Sequence, residues 1–263
     1  MKTATLFLTA LLVAGSSAGV YADDQLQPLH GSCNIAPALK PDHVQFKLES
    51  GSCEDGQRHC NTNDSEMPLS NFTGFSLADL KQDGAHVDAV IAAEAGKLTC
   101  SGTVRDLTMT GDFTFVPDPA FVAKMHQMGF DNFNSDKLEA YTLFHVETSW
   151  IQSLQAAGVK DLDSDKVIAM RIFKVDAPFV KSMADLGFAN LSADKLIAFK
   201  IHGVNVDEVK QYRAMGYQPS ADELIQMRIF KVTPEFIHHM QDRGLNNLTI
   251  AKLVQIRIFK LAD

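Results

Sequence analysis

Tryptophan occurs once and cysteine four times in 263 residues. Beyond the first 22 residues, no apolar run approaches the ~20 residues a membrane helix needs. No C-x-x-C pair and no H-E-x-x-H helix is present, so the usual zinc frameworks are absent as motifs. Cations are the scarcer charge, 24 Lys+Arg against 32 Asp+Glu, and the net charge of −8 excludes generic nucleic-acid binding as a default. The one G-x-S-x-G elbow, Gly15–Gly19, falls in residues 1–22. That stretch has a single cation (Lys2), an apolar run Leu6–Ala14 and a Val20-Tyr21-Ala22 end, and it reads as a cleaved secretory signal peptide.

What remains divides by composition near position 116. Residues 23–116 carry 6 Lys+Arg, 14 Asp+Glu and all four cysteines; residues 117–263 carry 17 and 18 and no cysteine. Such a shift marks a domain boundary. In the first part, Val44–Leu48, Leu98–Cys100 and Leu107–Phe115 alternate with period two, as strands with one buried face do. A hairpin is expected near Arg105-Asp106, with Gly102 and Gly111 at bulges or close approaches. Residues 51–74, rich in Gly, Ser, Asn and Asp, read as a long loop. In an exported chain Cys33, Cys53, Cys60 and Cys100 point to two disulfides rather than a metal site. Three pairings are possible; the local pair Cys53–Cys60, leaving Cys33 with Cys100, is preferred.

The second part repeats. Gly129, Gly158, Gly187, Gly216 and Gly244 recur at spacings of 29, 29, 29 and 28 residues, defining units 1 to 5 at 118–146, 147–175, 176–204, 205–232 and 233–261. Periods of this length mark arrays whose units shelter apolar faces against their neighbours. Each unit reads as two short helices. The first opens at a cap (Asp118-Pro119, Thr233-Pro234) and closes at the repeated glycine. The second is capped by Asn134, Asp163, Ser192, Ser220 or Thr249, with Asp136, Asp165, Asp194 and Asp222 complementing its dipole. Apolar residues run almost all round this second helix, so it is expected inside the array with the first helices flanking. The fold class is therefore α+β: a small antiparallel β domain, then an αα-solenoid-like array of five two-helix repeats.

One column breaks the pattern. Arg171, Lys200, Arg228 and Arg257 fall inside the apolar stripe, where unit 1 has Thr142. They read either as a cation ladder for an anionic partner or, preferably, as buried stems whose heads reach carbonyls or a carboxylate of an adjoining unit. Trp150 occupies a column otherwise held by Phe121, Phe179 and Phe236, and reads as core. Asp161–Asp165 imitates a calcium loop but has Lys166 where that loop needs glycine, so helix capping explains it better.

The stretches Ala177-Pro178-Phe179, Gly187-Phe188, Leu191–Leu196, Ile201-His202-Gly203-Val204 and Thr233-Pro234-Glu235-Phe236 resemble the "RIHGVTPEF" repeats of exported bacterial proteins. Similar repeats occur in the extracytoplasmic C-terminal parts of some BlaR/MecR-type metallopeptidases, and Gly96–Phe115 resembles the β segment preceding them. The resemblance covers about two thirds of the chain. Phe-Lys replaces His-Gly in three units, and the peptidase's membrane helices and zinc motif are missing. The resemblance implies an exported accessory or sensing module, periplasmic or secreted.

The leading expectation is a non-enzymatic binding module for a protein or peptide of the cell envelope, with no cofactor, metal or nucleic acid. The alternative is a metal-dependent hydrolase sited between the two halves, drawing on His30, His43, His59, His86 and the loop acids. A third is intramolecular docking of the acidic β part on the basic column.

Overall fold

The computed structural model describes residues 26–50 and 61–261. The expected leader, His59 and the cysteines Cys53 and Cys60 lie outside these residues. Six strands come first: β1 (Leu29–Pro37), β2 (His43–Ser50), β3 (Asn61–Pro68), β4 (His86–Ala93), β5 (Gly96–Arg105) and β6 (Thr108–Pro117). They form one antiparallel sheet in the order β3-β2-β1-β6-β5-β4. Ten helices follow in the described residues: α1 (Pro119–Gln127), α2 (Ser135–Leu143), α3 (Thr148–Ala156), α4 (Ser164–Ile172), α5 (Ala177–Asp185), α6 (Ala193–Ile201), α7 (Val206–Ala214), α8 (Ala221–Ile229), α9 (Pro234–Asp242) and α10 (Ile250–Phe259). The arrangement is α+β.

The expected hairpin joins β5 to β6. Asp106 (φ 49°) and Leu107 (φ 62°) take the two left-handed positions that match the twist of the flanking strands. The long-loop reading of 51–74 needs correction: β3 pairs with β2 along Asn61–Pro68. Its sequence is polar because it is an edge strand, with Met67 its one buried apolar residue.

The sheet is sharply curled along β6. A disulfide joins Cys33 on β1 to Cys100 on β5, two strands that do not pair but flank β6, with a Cα–Cα distance of 6.1 Å. In a flat sheet strands two apart lie about 9.6 Å from each other. Gly111, the β6 partner of both Cys33 and Gly102, permits this approach. A Cβ on Gly111 would overlap the Ser101 carbonyl.

The concave face of the sheet does not end its core at residue 116. Leu98, Cys100, Phe113 and Phe115 pack in one cluster with Phe121, Leu138, Tyr141, Ile151 and Val167 of α1 to α4, and α2 lies across β4, β5 and β6. At the β4–β5 turn, the Glu94 carboxylate accepts from the Thr148 hydroxyl (2.8 Å) and backbone N–H, supplying the cap that Glu147 does not give α3. The compositional boundary is thus a seam inside one core.

Along the helices the signals of the sequence act locally. Asn134, Asp163, Ser192, Ser220 and Thr249 each accept a first-turn N–H with their side chains. Each repeated glycine has positive φ. The following residue closes the turn with a backbone bond five residues back, as from Phe130 N–H to Met125 O and from Phe188 N–H to Met183 O, both 2.9 Å. The second helices close in the same way, with His145, Lys174, Gly203, Lys231 and Lys260 in the left-handed position. Helix α4 packs on α6, α6 on α8 and α8 on α10, while α3 packs on α5 and α7 on α9.

One expectation fails here. The second helices are not buried on most sides: Ile172, Ile201, Ile229 and Ile258 are 43%, 51%, 49% and 47% exposed. The face that carries these isoleucines is left open to solvent.

Candidate functional site

The basic column is built as a set of staples between units. Arg171 Nε donates to the Phe144 carbonyl (2.9 Å), Arg228 Nε to the His202 carbonyl (3.2 Å) and Arg257 Nε to the Lys231 carbonyl (3.1 Å). Each acceptor sits at the C-terminal end of the second helix one unit earlier, where carbonyls lack helical partners. The opposite side of each cation meets its own unit's first helix. Arg171 lies 5.3 Å from the Trp150 ring centre, Lys200 4.1 Å from Phe179 and Arg257 3.8 Å from Phe236. Unit 4 has no aromatic in that column. Glu208 stands there instead, and its carboxylate takes Arg228 in an ion pair of 2.5 Å. The periodicity that aligned Trp150 with the phenylalanines identifies Glu208 as the odd member.

A second ladder runs along the opposite ends of the same helices. Lys137 Nζ reaches Asp165 (2.8 Å), Lys166 reaches Asp194 (3.3 Å), and Lys195 pairs with Asp222. The sequence reading gave these aspartates to the helix dipole alone. The lysine that follows Asp136, Asp165 and Asp194 is the signal for it. The ladder lapses between units 4 and 5, where Glu223 replaces lysine and Ala251 replaces aspartate.

Next to the basic column, at the C-terminal ends of the helices, the four isoleucines occupy equivalent positions on successive packed helices, and so form a row across the array. Six of the eleven exposed large apolar residues among the described ones lie in the four segments 171–174, 200–203, 228–231 and 257–260. The row begins in a cleft of about 580 Å³ between the β2–β3 edge and the ends of α2 and α4. Met67, Phe144, Trp150 and Ile172 supply its apolar wall, and Lys40, His43, His145, Arg171, Lys174, Glu66 and Asp176 are among its polar lining. His145 Nε2 is buried without a partner, and burial first, then the Arg171 charge, lower its pKa. Of the basic column, only Arg171 lines this cleft.

The histidines proposed for a metal site are spread along the sheet. His30 on β1 contacts Thr114 Oγ1 (3.2 Å), His86 on β4 contacts Ser101 Oγ (3.1 Å), and His43 on β2 contacts the Pro41 carbonyl (2.9 Å). Strands β2 and β4 are separated by three others, and only His43 reaches the cleft. No group of three His, Cys, Asp or Glu suited to a metal ion occurs among the described residues. Beside His86, Ser101 donates to Asp88 (2.5 Å), so the serine bonds the carboxylate directly rather than through the imidazole as a nucleophilic triad requires. No described helix is long and apolar enough to cross a membrane.

Comparison with known proteins returns no matching family model, no matching curated protein and no matching solved structure.

Proposed function

We propose that the chain is an exported, non-enzymatic module, periplasmic or secreted, that binds a protein or peptide of the cell envelope through the isoleucine row and the cleft at its head. The row carries this reading. Single exposed apolar residues are ordinary, but a half-exposed isoleucine repeated at one position on four stacked helices makes the kind of surface that partners cover. The Cys33–Cys100 disulfide fits an oxidising compartment. The hydrolase alternative lacks a converging ligand set among the described residues.

A photo-crosslinking residue placed at Ile229 tests the proposal in whole cells. One discrete crosslinked species is expected, and it should vanish when Ile201→Asp is added. A diffuse background equal to that from a crosslinker at Thr103, on the solvent face of the sheet, removes the binding reading. Stoichiometric zinc in the purified protein reinstates the hydrolase.

A further inference from the structure

We infer that the row reads an extended, acidic segment of a partner polypeptide, one apolar residue per unit at every third position, with one end of the segment seated in the cleft. This rests on the binding reading above and adds the chemistry of the ligand.

Spacing supplies the first support. Packed helices stand 8–10 Å apart, roughly, between axes. An extended or polyproline chain advances about 3.1–3.4 Å per residue, so three residues span one unit. A polyproline helix also returns every third side chain to the same edge. The four isoleucines, Ile172, Ile201, Ile229 and Ile258, then match a segment of about ten residues by the same geometry.

Charge supplies the second. The four segments of the row, Arg171–Lys174, Lys200–Gly203, Arg228–Lys231 and Arg257–Lys260, contain seven cations and no carboxylate, in a chain of net charge −8. The arginine heads are engaged by carbonyls, rings or Glu208. Lys174, Lys231 and Lys260 are exposed and form no ion pair with another described residue.

These three lysines also occupy backbone that lysine disfavours. Their φ values are 55°, 55° and 51°, and the equivalent residue of unit 3 is Gly203 at 69°. Glycine is therefore admitted at this position, yet three units place an ammonium group there against local preference. Backbone kept strained where a strain-free residue fits is a mark of use.

The cleft decides between a peptide and a lipid surface. It is a cavity of about 580 Å³ walled by Trp150 and Phe144, which a chain end fills and a bilayer plane does not. Its three cations, Lys40, Arg171 and Lys174, outnumber its two carboxylates, Glu66 and Asp176, which leaves it one positive charge for the carboxylate of a chain end.

The test uses the purified full chain and two labelled decapeptides of one composition. In the first, leucine stands at positions one, four, seven and ten with aspartate, glutamate and proline between. In the second, the leucines are clustered at one end. The first is expected to bind at least tenfold more tightly, with affinity falling as salt rises. Replacing Lys174→Gly, Lys231→Gly and Lys260→Gly together should cost at least tenfold in affinity while the melting temperature stays level or rises, which a purely structural role for these lysines does not give. Ile229→Asp should weaken binding to a similar degree with little change in melting. Equal binding of the two peptides, or unchanged affinity in the triple glycine variant, overturns the inference. So does binding to vesicles of anionic lipid that Ile229→Asp abolishes while neither peptide binds, or a dimer of the chain that the same substitution dissolves. If neither peptide binds but the crosslinked species of the preceding section persists, the ligand chemistry is wrong and the binding reading stands; loss of both removes both.

Discussion

At Glu139 the environment of a single carboxyl makes stability depend on pH. The residue is 6% exposed on α2, its Oε2 has no partner among the described residues, and burial, followed by the nearby Asp136 charge, pushes its pKa up to about 7. The unfolded chain gives up this proton near the ordinary value of 4.5, whereas the folded chain holds it until about 7. Between those values folding takes up a proton, so the stability falls as pH rises through this window and levels off above it. Glu139→Gln should therefore change little at pH 4 and stabilise at pH 8 by about 1–3 kcal/mol. Melting curves of both proteins across that range check it; a gap that does not widen with pH refutes the buried-acid account. At the same scale, the identity of residues in a repeated column was legible from period alone, down to Glu208 as the substitute for an aromatic. Which of them touch was not, because an arginine at a given offset reaches a carbonyl only once the neighbouring helix is in place.

Among the elements, helix ends were the most legible and edge strands the least. Caps such as Asn134 and Ser192, and glycines such as Gly129, act within a few residues of themselves, so the sequence alone locates them. Strand β3 has a polar sequence and is a strand only because β2 lies beside it. Strand β4 carries a period-two set, Val87, Ala89 and Ile91, that a longer window would have caught. The isoleucine row differs again: an apolar helix reads as a buried helix, although the pattern does not say whether the last face meets protein or solvent. The lapsed ladder gives a prediction at this scale. Glu223→Lys combined with Ala251→Asp rebuilds the missing rung between α8 and α10. It should add about 0.5 kcal/mol, the scale of a part-exposed pair, offset by loss of the Ser220–Glu223 capping box. Slower amide exchange in α10, with exchange in α2 unchanged, is the expected signature.

For the whole molecule, the shared core matters more than the compositional boundary. The cleft was not legible in the sequence because it joins Lys40, His43 and residues 65–71 to residues 143–176, a pairing that exists only after α2 settles on the sheet. The disulfide secures the curl under that contact, closing a separation of 67 residues. Replacing both Cys33→Ala and Cys100→Ala should lower the unfolding free energy by about 4 kcal/mol, the chain-entropy value for such a loop. Urea titration of the oxidised protein and the double variant measures it, and a loss below about 1 kcal/mol would show that the curl holds without the bond.

On the binding reading proposed above, the stacking of α4, α6, α8 and α10 in single file, rooted on the sheet through the first units, would make the molecule a gauge with a fixed zero. Inserting or deleting one 29-residue block in the middle of the file would move the far mark by one helix width and leave the origin in place. Length discrimination could then change by tandem duplication of DNA, in steps of three ligand residues, without any redesign of the contacts already made.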